Sequence, residues 1–323
     1  MRPVDLAPKV FSTVGLPAAR RVELWETHNA TALIALDVNT TESLDATEIN
    51  VQLPRIHLAR VAGSAHVVNR SAAVIKRSPA NSVAVYLTLR GDAWFEDEEG
   101  SRALRPGNVL ISEADRPFAR GFRRGLEELV VKADHAALPQ VAWLSKPVIA
   151  SFGNDGPGNQ YARALARAAA RATRPGCHLP ADEGTVLDLI AVLAGGRAVA
   201  PATAHRAAAR SYIDEQLTSP DLGAEQVAAA IGISERQLSR VFAADGTSVP
   251  RHILSRRLDL AHSIVSSGPT ADRASGRSET ITEIAARCGF TSATYFSHAF
   301  RARFGRRASD VRREAQAPLP HPR

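Results

Sequence analysis

Cysteine is nearly absent. The 323 residues hold two, Cys177 and Cys288, too few and too far apart for a disulfide framework or a four-cysteine zinc site. A reducing compartment is expected, and the cytoplasm is the expected location. Met1 to Val10 have no apolar core of secretory length. No later stretch approaches the ~18 uncharged apolar residues of a membrane span, so a soluble chain with no membrane partner is expected. The spacing His-x-His, a common way for a β-barrel enzyme to hold a transition metal, does not occur. His28, His57, His66 and His135 are scattered. There is no Gly-x-Ser-x-Gly elbow and no glycine-rich phosphate loop. The expectation is a protein with no catalytic residues, no metal and no cofactor: not an enzyme.

What is present is an ordinary globular balance, with 45% hydrophobic and 23% charged residues. The length favours two domains over one. A net charge of +7 is compatible with an anionic partner but does not identify one.

From Val22 to Lys132 the chain reads as short strands separated by turns. Ile56 to Val61 and Val83 to Leu89 are rich in β-branched and apolar residues, and Gly91, Gly100, Pro106-Gly107 and Pro117 punctuate them. Such spacing predicts a sandwich or small barrel. Gln160 to Thr173 is helical in pattern, with Arg163, Arg167 and Arg171 four apart on one face, an arrangement that ordinarily meets water. A second helix starts near Thr185 and ends at Gly195-Gly196, and Ala198 to Thr203 reads as a linker. From His205 onward the pattern is almost entirely helical, with Tyr212, Ile213 and Leu217 on one face.

The last third contains an internal repeat. Ala228-x3-Gly232-x5-Leu238 recurs as Ala285-x3-Gly289-x5-Tyr295. A small alanine permits a close helix crossing, and glycine suits a left-handed turn. Leu238 and Phe242, then Phe296 and Phe300, would anchor the second helix of each pair, with Ser234 and Ser292 placed to cap it. Ile253, Leu254, Leu258, Ala261 and Ile264-Val265 form the apolar stripe of a helix joining the two. A single match of this kind is common in helical hairpins. Two in tandem, each followed by Phe and then Gly246 or Gly305, predict two helix-turn-helix units.

These residues resemble the AraC/XylS family. Val227-Ala228, Gly232-Ile233-Ser234, Leu238, Arg240, Phe242, Arg257-Leu258 and Ala261 match the first half of its DNA-binding domain. Ile281-x2-Ile284-Ala285-x3-Gly289-Phe290, Phe296, Phe300, Phe304-Gly305 and Arg312 match the second. The N-terminal part is similar to the cupin-like domains that often precede this module, and Pro106-Gly107 feeding Val109 to Ile111 resembles a cupin turn. Departures are Ala308 where the family has Pro, Val311 where it has an aromatic, His298 where it has Arg, and a longer segment 267–280 read as a loop.

The resemblance implies a jelly-roll, cupin-like ligand-binding and dimerisation domain over 1–175, a helix and linker over 176–203, an all-α DNA-binding domain over 204–315 and a disordered tail over 316–323. It implies a transcription regulator, an activator rather than a repressor, controlled by a small molecule or by dimerisation. Its partners would be double-stranded DNA, an effector, a second copy of the chain and RNA polymerase. On the first recognition helix Ser234, Arg236, Gln237, Ser239 and Arg240 would face DNA, since Arg reads guanine and Gln reads adenine through paired bonds. On the second, the face would be Ser292, Ala293, Thr294, Ser297 and His298. Seven arginines lie between Arg287 and Arg313, of which Arg301, Arg306 and Arg307 are the expected phosphate contacts. Arg60, Tyr86 and Trp94 are candidates for an effector pocket. The alternatives are a cupin-type metalloenzyme fused to a DNA-binding module, and alkyl-transfer DNA repair, for which the cysteines are too few.

Overall fold

The computed structural model describes residues 8–139, 141, 143–153, 159–195, 199–267 and 279–316. Gly196, Ala198, most of the 267–280 segment and nearly all of the 316–323 tail, each given a role by the sequence, lie outside the described residues. Contacts divide the chain into two units, one of residues 1–175 and 181–207, the other of 176–180 and 208–323.

In the first unit the elements run β1 (Lys9–Ser12), α1 (Arg21–Ala32), β2 (Asp37–Asn39), β3 (Ala46–Gln52), β4 (Ile56–Gly63), β5 (His66–Arg70), α2 (Ala72–Arg77), β6 (Ser82–Arg90), β7 (Ala93–Asp97), β8 (Gly100–Leu104), β9 (Asn108–Glu113), β10 (Phe118–Phe122), β11 (Leu126–Asp134) and β12 (Val148–Ser151). They are followed by α3 (Asn159–Ala172) and α4 (Glu183–Gly195). The strands form two antiparallel sheets, ordered β1-β3-β4-β11-β6-β9-β12 and β2-β5-β10-β7-β8. This is the β-rich N-terminal architecture that the turn spacing predicts.

Strand alternation sends each central strand into two cores. On β6, Val83, Val85 and Leu87 join α3 and α4 in one cluster. Ala84 and Tyr86 join Val68, Phe95, Phe118 and Phe122 of the other sheet in a second cluster. β6 and β11 are therefore buried on both faces, which is why Val83 to Leu89 reads as an unbroken apolar run rather than an alternating one. α3 buries Ala162, Leu165, Ala169 and Ala172. Small alanines let it lie close to the sheet, while Arg167 is exposed and Arg163 and Arg171 are half-buried.

α5 (Pro201–Gln216) begins inside the stretch expected to be a linker. Proline has no N–H to leave unpaired in a first turn and its fixed φ suits a helix start, so Pro201 opens the helix instead of interrupting it. The second unit continues with α6 (Ala224–Ile231), α7 (Glu235–Ala243), α8 (Val249–Ser266), α9 (Ile281–Arg287), α10 (Ala293–Phe304) and α11 (Ala308–Ala315). α8 is the shared spine. Val249 and Ile253 pack with Leu238 and Phe242, whereas Leu258, Ala261, Ile264 and Val265 pack with Phe296 and Phe300. No helix among the described residues is long and apolar enough to cross a membrane.

Candidate nucleic-acid interface

The first helix pair depends on a close approach. α6 ends at Gly232, whose φ of 72° is left-handed, and Ile233 N then donates to Ala228 O at 3.1 Å. Ala228 is buried, so a larger side chain there would force the helices apart. Ser234 caps α7 by accepting from Gln237 N at 3.2 Å, giving a partner to one of the helix's unpaired N–H groups. Leu238, Val241 and Phe242 face the core. The helical period leaves Arg236, Gln237, Ser239 and Arg240 exposed on the opposite side, together with Ser234 and Glu235.

The second pair repeats the device with stronger capping. Thr280 accepts from Glu283 N at 3.2 Å while Thr280 N donates to Glu283 Oε2 at 2.6 Å, a complete capping box on α9. Gly289 has φ 85°, and Phe290 N donates to Ala285 O at 3.0 Å. Ser292 caps α10 by accepting from Tyr295 N at 3.2 Å. Phe296 and Phe300 are wholly buried.

The repeat read from sequence is corrected at one position. The spacing Gly-x5-apolar pairs Leu238 with Tyr295, yet Leu238 is fully buried and Tyr295 is 55% exposed. The cap explains the difference. One residue separates Gly232 from its cap Ser234, while two separate Gly289 from Ser292. Counted from the caps, Leu238 and Phe296 are both the fourth residue on, and both are core. Tyr295 thereby corresponds to Gln237 and joins the exposed face of α10, a residue the sequence reading omitted. The signal that would have found it is the serine cap, a more direct marker of helix phase than the glycine. Ala293, Thr294, Ser297 and His298 are also exposed there, as is the cap Ser292. Ser297 Oγ donates back to Ala293 O at 2.9 Å.

The seven arginines have different tasks. Arg303 donates to Ser255 Oγ at 2.6 Å and Asp259 Oδ1 at 2.7 Å, fastening α10 to α8. Arg312 donates to Glu279 O, Arg287 pairs with Glu279 at 3.2 Å and Arg313 with Asp310 at 3.5 Å. Arg306 pairs with Glu314. Arg301 and Arg307 are exposed. Beneath this surface, Arg256 forms a buried pair with Asp214 at 2.7 and 3.0 Å and also donates to Pro180 O at 2.7 Å. Cys288 is fully buried, and burial pushes its thiol up to about 12, so it offers no thiolate near neutral pH.

In the first unit the three pocket candidates separate. Arg60 is engaged by Glu127, at 2.6 and 3.0 Å. Trp94 lies across Gly121, where an added Cβ would fall 2.2 Å from its ring nitrogen. Only Tyr86 lines the cavity between the two sheets. Arg120 and Glu128, which no sequence pattern singled out, line it as well. Among the described residues no three His, Cys, Asp or Glu side chains are grouped so as to hold a metal ion.

A family model described as a helix-turn-helix domain matches residues 227–314. The chain is 34% identical over 134 residues to the transcriptional activator RhrA of Rhizobium meliloti (strain 1021), and the match covers 40% of each chain. It is 22% identical over 276 residues to the transcriptional activator NphR of a Rhodococcus species, covering 80% of this chain and 78% of that one. The crystal structure of the AraC-like transcriptional activator CuxR overlays with a TM-score of 0.47 at 19% identity, covering 86% of this chain and all of the other. Both glycine turns and both capped second helices, α7 and α10, lie within the residues that the helix-turn-helix model matches.

Proposed function

We propose that this protein is a sequence-specific DNA-binding transcription regulator, acting as an activator. The observation that carries the reading is the pair of capped helices α7 and α10, each anchored by buried apolar residues and each presenting an exposed polar face. A helix of that form fits the major groove, where every base pair shows a distinct pattern of donors and acceptors. Two on one spine suit two successive groove segments. Arg236, Gln237 and Arg240 on α7 carry the side chains that can make paired contacts to guanine or adenine. The α10 face of Thr294, Tyr295, Ser297 and His298 is shorter and suits thymine methyls and local DNA shape. Arg301, Arg306 and Arg307, with Ser234 and Ser292 at the helix caps, supply phosphate contacts. The activator names of RhrA and NphR support the direction of regulation.

The N-terminal sheets would set the response, by binding a small molecule or by joining two copies of the chain, and RNA polymerase would be the partner at the promoter. The test is selection of bound duplexes from a random pool by the full chain, followed by titration of the selected and scrambled duplexes at several salt concentrations. A selected motif spanning two successive major-groove segments, bound ~10³-fold or more above scrambled DNA, is the expected result. Equal binding of both duplexes overturns the reading.

A further inference from the structure

The C-terminal unit is not built from one stretch of chain. Residues 176–180, which lie between α3 and α4 of the first unit, belong by their contacts to the second. Gly176, at φ 74°, turns the chain away from α3 in a left-handed conformation that favours glycine. Leu179 is then buried in the core that holds Leu238 and Phe242 of α7, with Cys177 packed against the same cluster. Pro180 O accepts from Arg256 on the spine α8, at 2.7 Å. Ser267, at the C-terminal end of α8, gives its hydroxyl proton to Ser263 O at 2.7 Å, so it accepts from His178 Nδ1 at 3.2 Å. The segment thereby engages the core of the first helix pair and two points along the spine.

Both ends of this strap are fixed in the first unit. On one side Thr173 is wholly buried and its Oγ1 donates to Ala169 O at 2.8 Å, closing α3, whose Leu165 and Ala169 pack in the cluster of Val85 and Leu129. On the other side Asp182 caps α4, accepting from Gly184 N at 3.1 Å and from Thr185 Oγ1 at 2.8 Å. Glu183 accepts from Arg55 N at 2.6 Å and from Arg55 Nε at 2.8 Å, which ties the start of α4 to the turn between β3 and β4. The strap itself has little slack. Pro175 and Pro180 have a fixed φ, and each restricts the residue before it to extended backbone. A shift of α3 against α4 meets few soft torsions and is passed on to Leu179.

We propose that the 176–180 strap is the coupling element of this protein: seated, it completes the core beneath α7, and displacement of α3 or α4 withdraws Leu179 and weakens DNA binding. That core orients the exposed face of Arg236, Gln237 and Arg240, so its loss loosens the side chains suited to reading bases. An element with a seated and a withdrawn arrangement, biased from two places, is the physical requirement for coupling. Reciprocity then follows. DNA held at α7 keeps Leu179 in its seat and so restrains α3 and α4. The proposal rests on the regulator reading for what is controlled, whereas the mechanical link does not depend on DNA.

The test uses the full chain. Glu183→Ala removes the two bonds from Arg55, and both partners lie in the first unit. Followed by amide hydrogen exchange without DNA, it should speed exchange along α7 about threefold or more. Two glycines inserted between Pro180 and Ala181 keep every strap residue but slacken the tether. In that background Glu183→Ala should leave α7 exchange unchanged. Leu179→Ala should weaken the selected duplex about 5- to 10-fold, and Leu179→Met, which refills the space, should bind within about twofold of the parent. Parent-like α7 exchange in Glu183→Ala, or the same acceleration with the glycines present, overturns the proposal. Parent-like affinity in Leu179→Ala does so too. Coupling in the exchange experiment, together with equal binding of selected and scrambled duplexes, sinks the DNA reading and leaves the strap standing.

Discussion

The guanidinium of Arg257 lies directly against Gly289. A Cβ placed on Gly289 would fall 2.8 Å from Arg257 Nε and 2.9 Å from Leu217 O. The same guanidinium donates to Leu217 O at 3.0 Å and to Ser219 O at 2.6 Å, capping the carbonyl end of α5. One side chain on the linking helix thus touches both helix-turn-helix units, closing the leading helix of the first and packing on the turn of the second. Gly289 consequently has two reasons to be glycine, its left-handed backbone and the lack of space. Gly232 has φ 72° and open space, with nothing within 4 Å of where a Cβ would stand, so it has only the first.

The two glycines should therefore respond differently to alanine. Gly232→Ala is expected to cost about 1–2 kcal/mol, the penalty of a left-handed non-glycine residue. Gly289→Ala should cost ~2 kcal/mol more, because Arg257 or the Leu217 carbonyl must also move. Urea denaturation of the two variants measures the difference. Equal losses would show that Arg257 yields freely and does not couple the units.

The phase of α10 can be tested at neighbouring positions. Phe296→Ala should destabilise the protein by about 3–5 kcal/mol, as a buried aromatic does. Tyr295→Ala should change stability by less than ~1 kcal/mol and weaken binding to the selected duplex. A large stability loss at Tyr295, with no effect on DNA, would restore the glycine-based alignment of the repeat.

Arg240 and Arg307 should separate base reading from phosphate contact. Arg240→Ala is expected to cost ~1–3 kcal/mol on the selected duplex and little on scrambled DNA. Arg307→Ala should weaken both alike and reduce the salt slope by ~1. Titrations at several salt concentrations distinguish the two patterns. A shallower slope and equal losses for Arg240→Ala would make it a phosphate clamp.

Acid should destabilise the N-terminal unit through His57. Burial, then the charges of Lys132 and His28, hold His57 down from 6.5 to about 4. The unfolded chain therefore takes up this proton first as the pH falls, and the contribution is complete above pH 6.5. It is lost progressively between 6.5 and 4, and amounts to about 3 kcal/mol in all. His57→Gln retains a side chain able to bond to Asn50, the 2.8 Å partner of His57, and should flatten the stability curve over that window. An unchanged acid slope in the variant would assign the effect to other groups.

The strap of residues 176–180 should matter to the C-terminal unit. Leu179 packs in the core of the first helix pair, and Arg256 donates to Pro180 O at 2.7 Å. A fragment from Ala204 onward should give a helical circular dichroism spectrum and a lower melting midpoint than one starting at Gly176. A strand-rich or unfolded spectrum for the shorter fragment would show that the helical unit does not fold alone.

The helix pairs were legible in the chain because their determinants are local. Gly232, Gly289, Ser234 and Ser292 act within a few residues of themselves, so turn and cap chemistry survive in a one-dimensional reading. The β-rich character of residues 22–132 was legible for a similar reason, since turn residues and apolar runs mark strands without knowledge of their partners. Strand order was not, because hydrogen-bonded neighbours such as β11 and β4 are set by pairing across distant segments. The phase of α10 lay between the two cases. Its cap was visible, but the burial of Phe296 rather than Tyr295 depends on where α8 and α9 place the core. The interior cavity was decided by tertiary structure alone. Arg120 lies on a strand of one sheet and Glu128 on a strand of the other. Only the facing of the two sheets turns two ordinary strand charges into a buried pair.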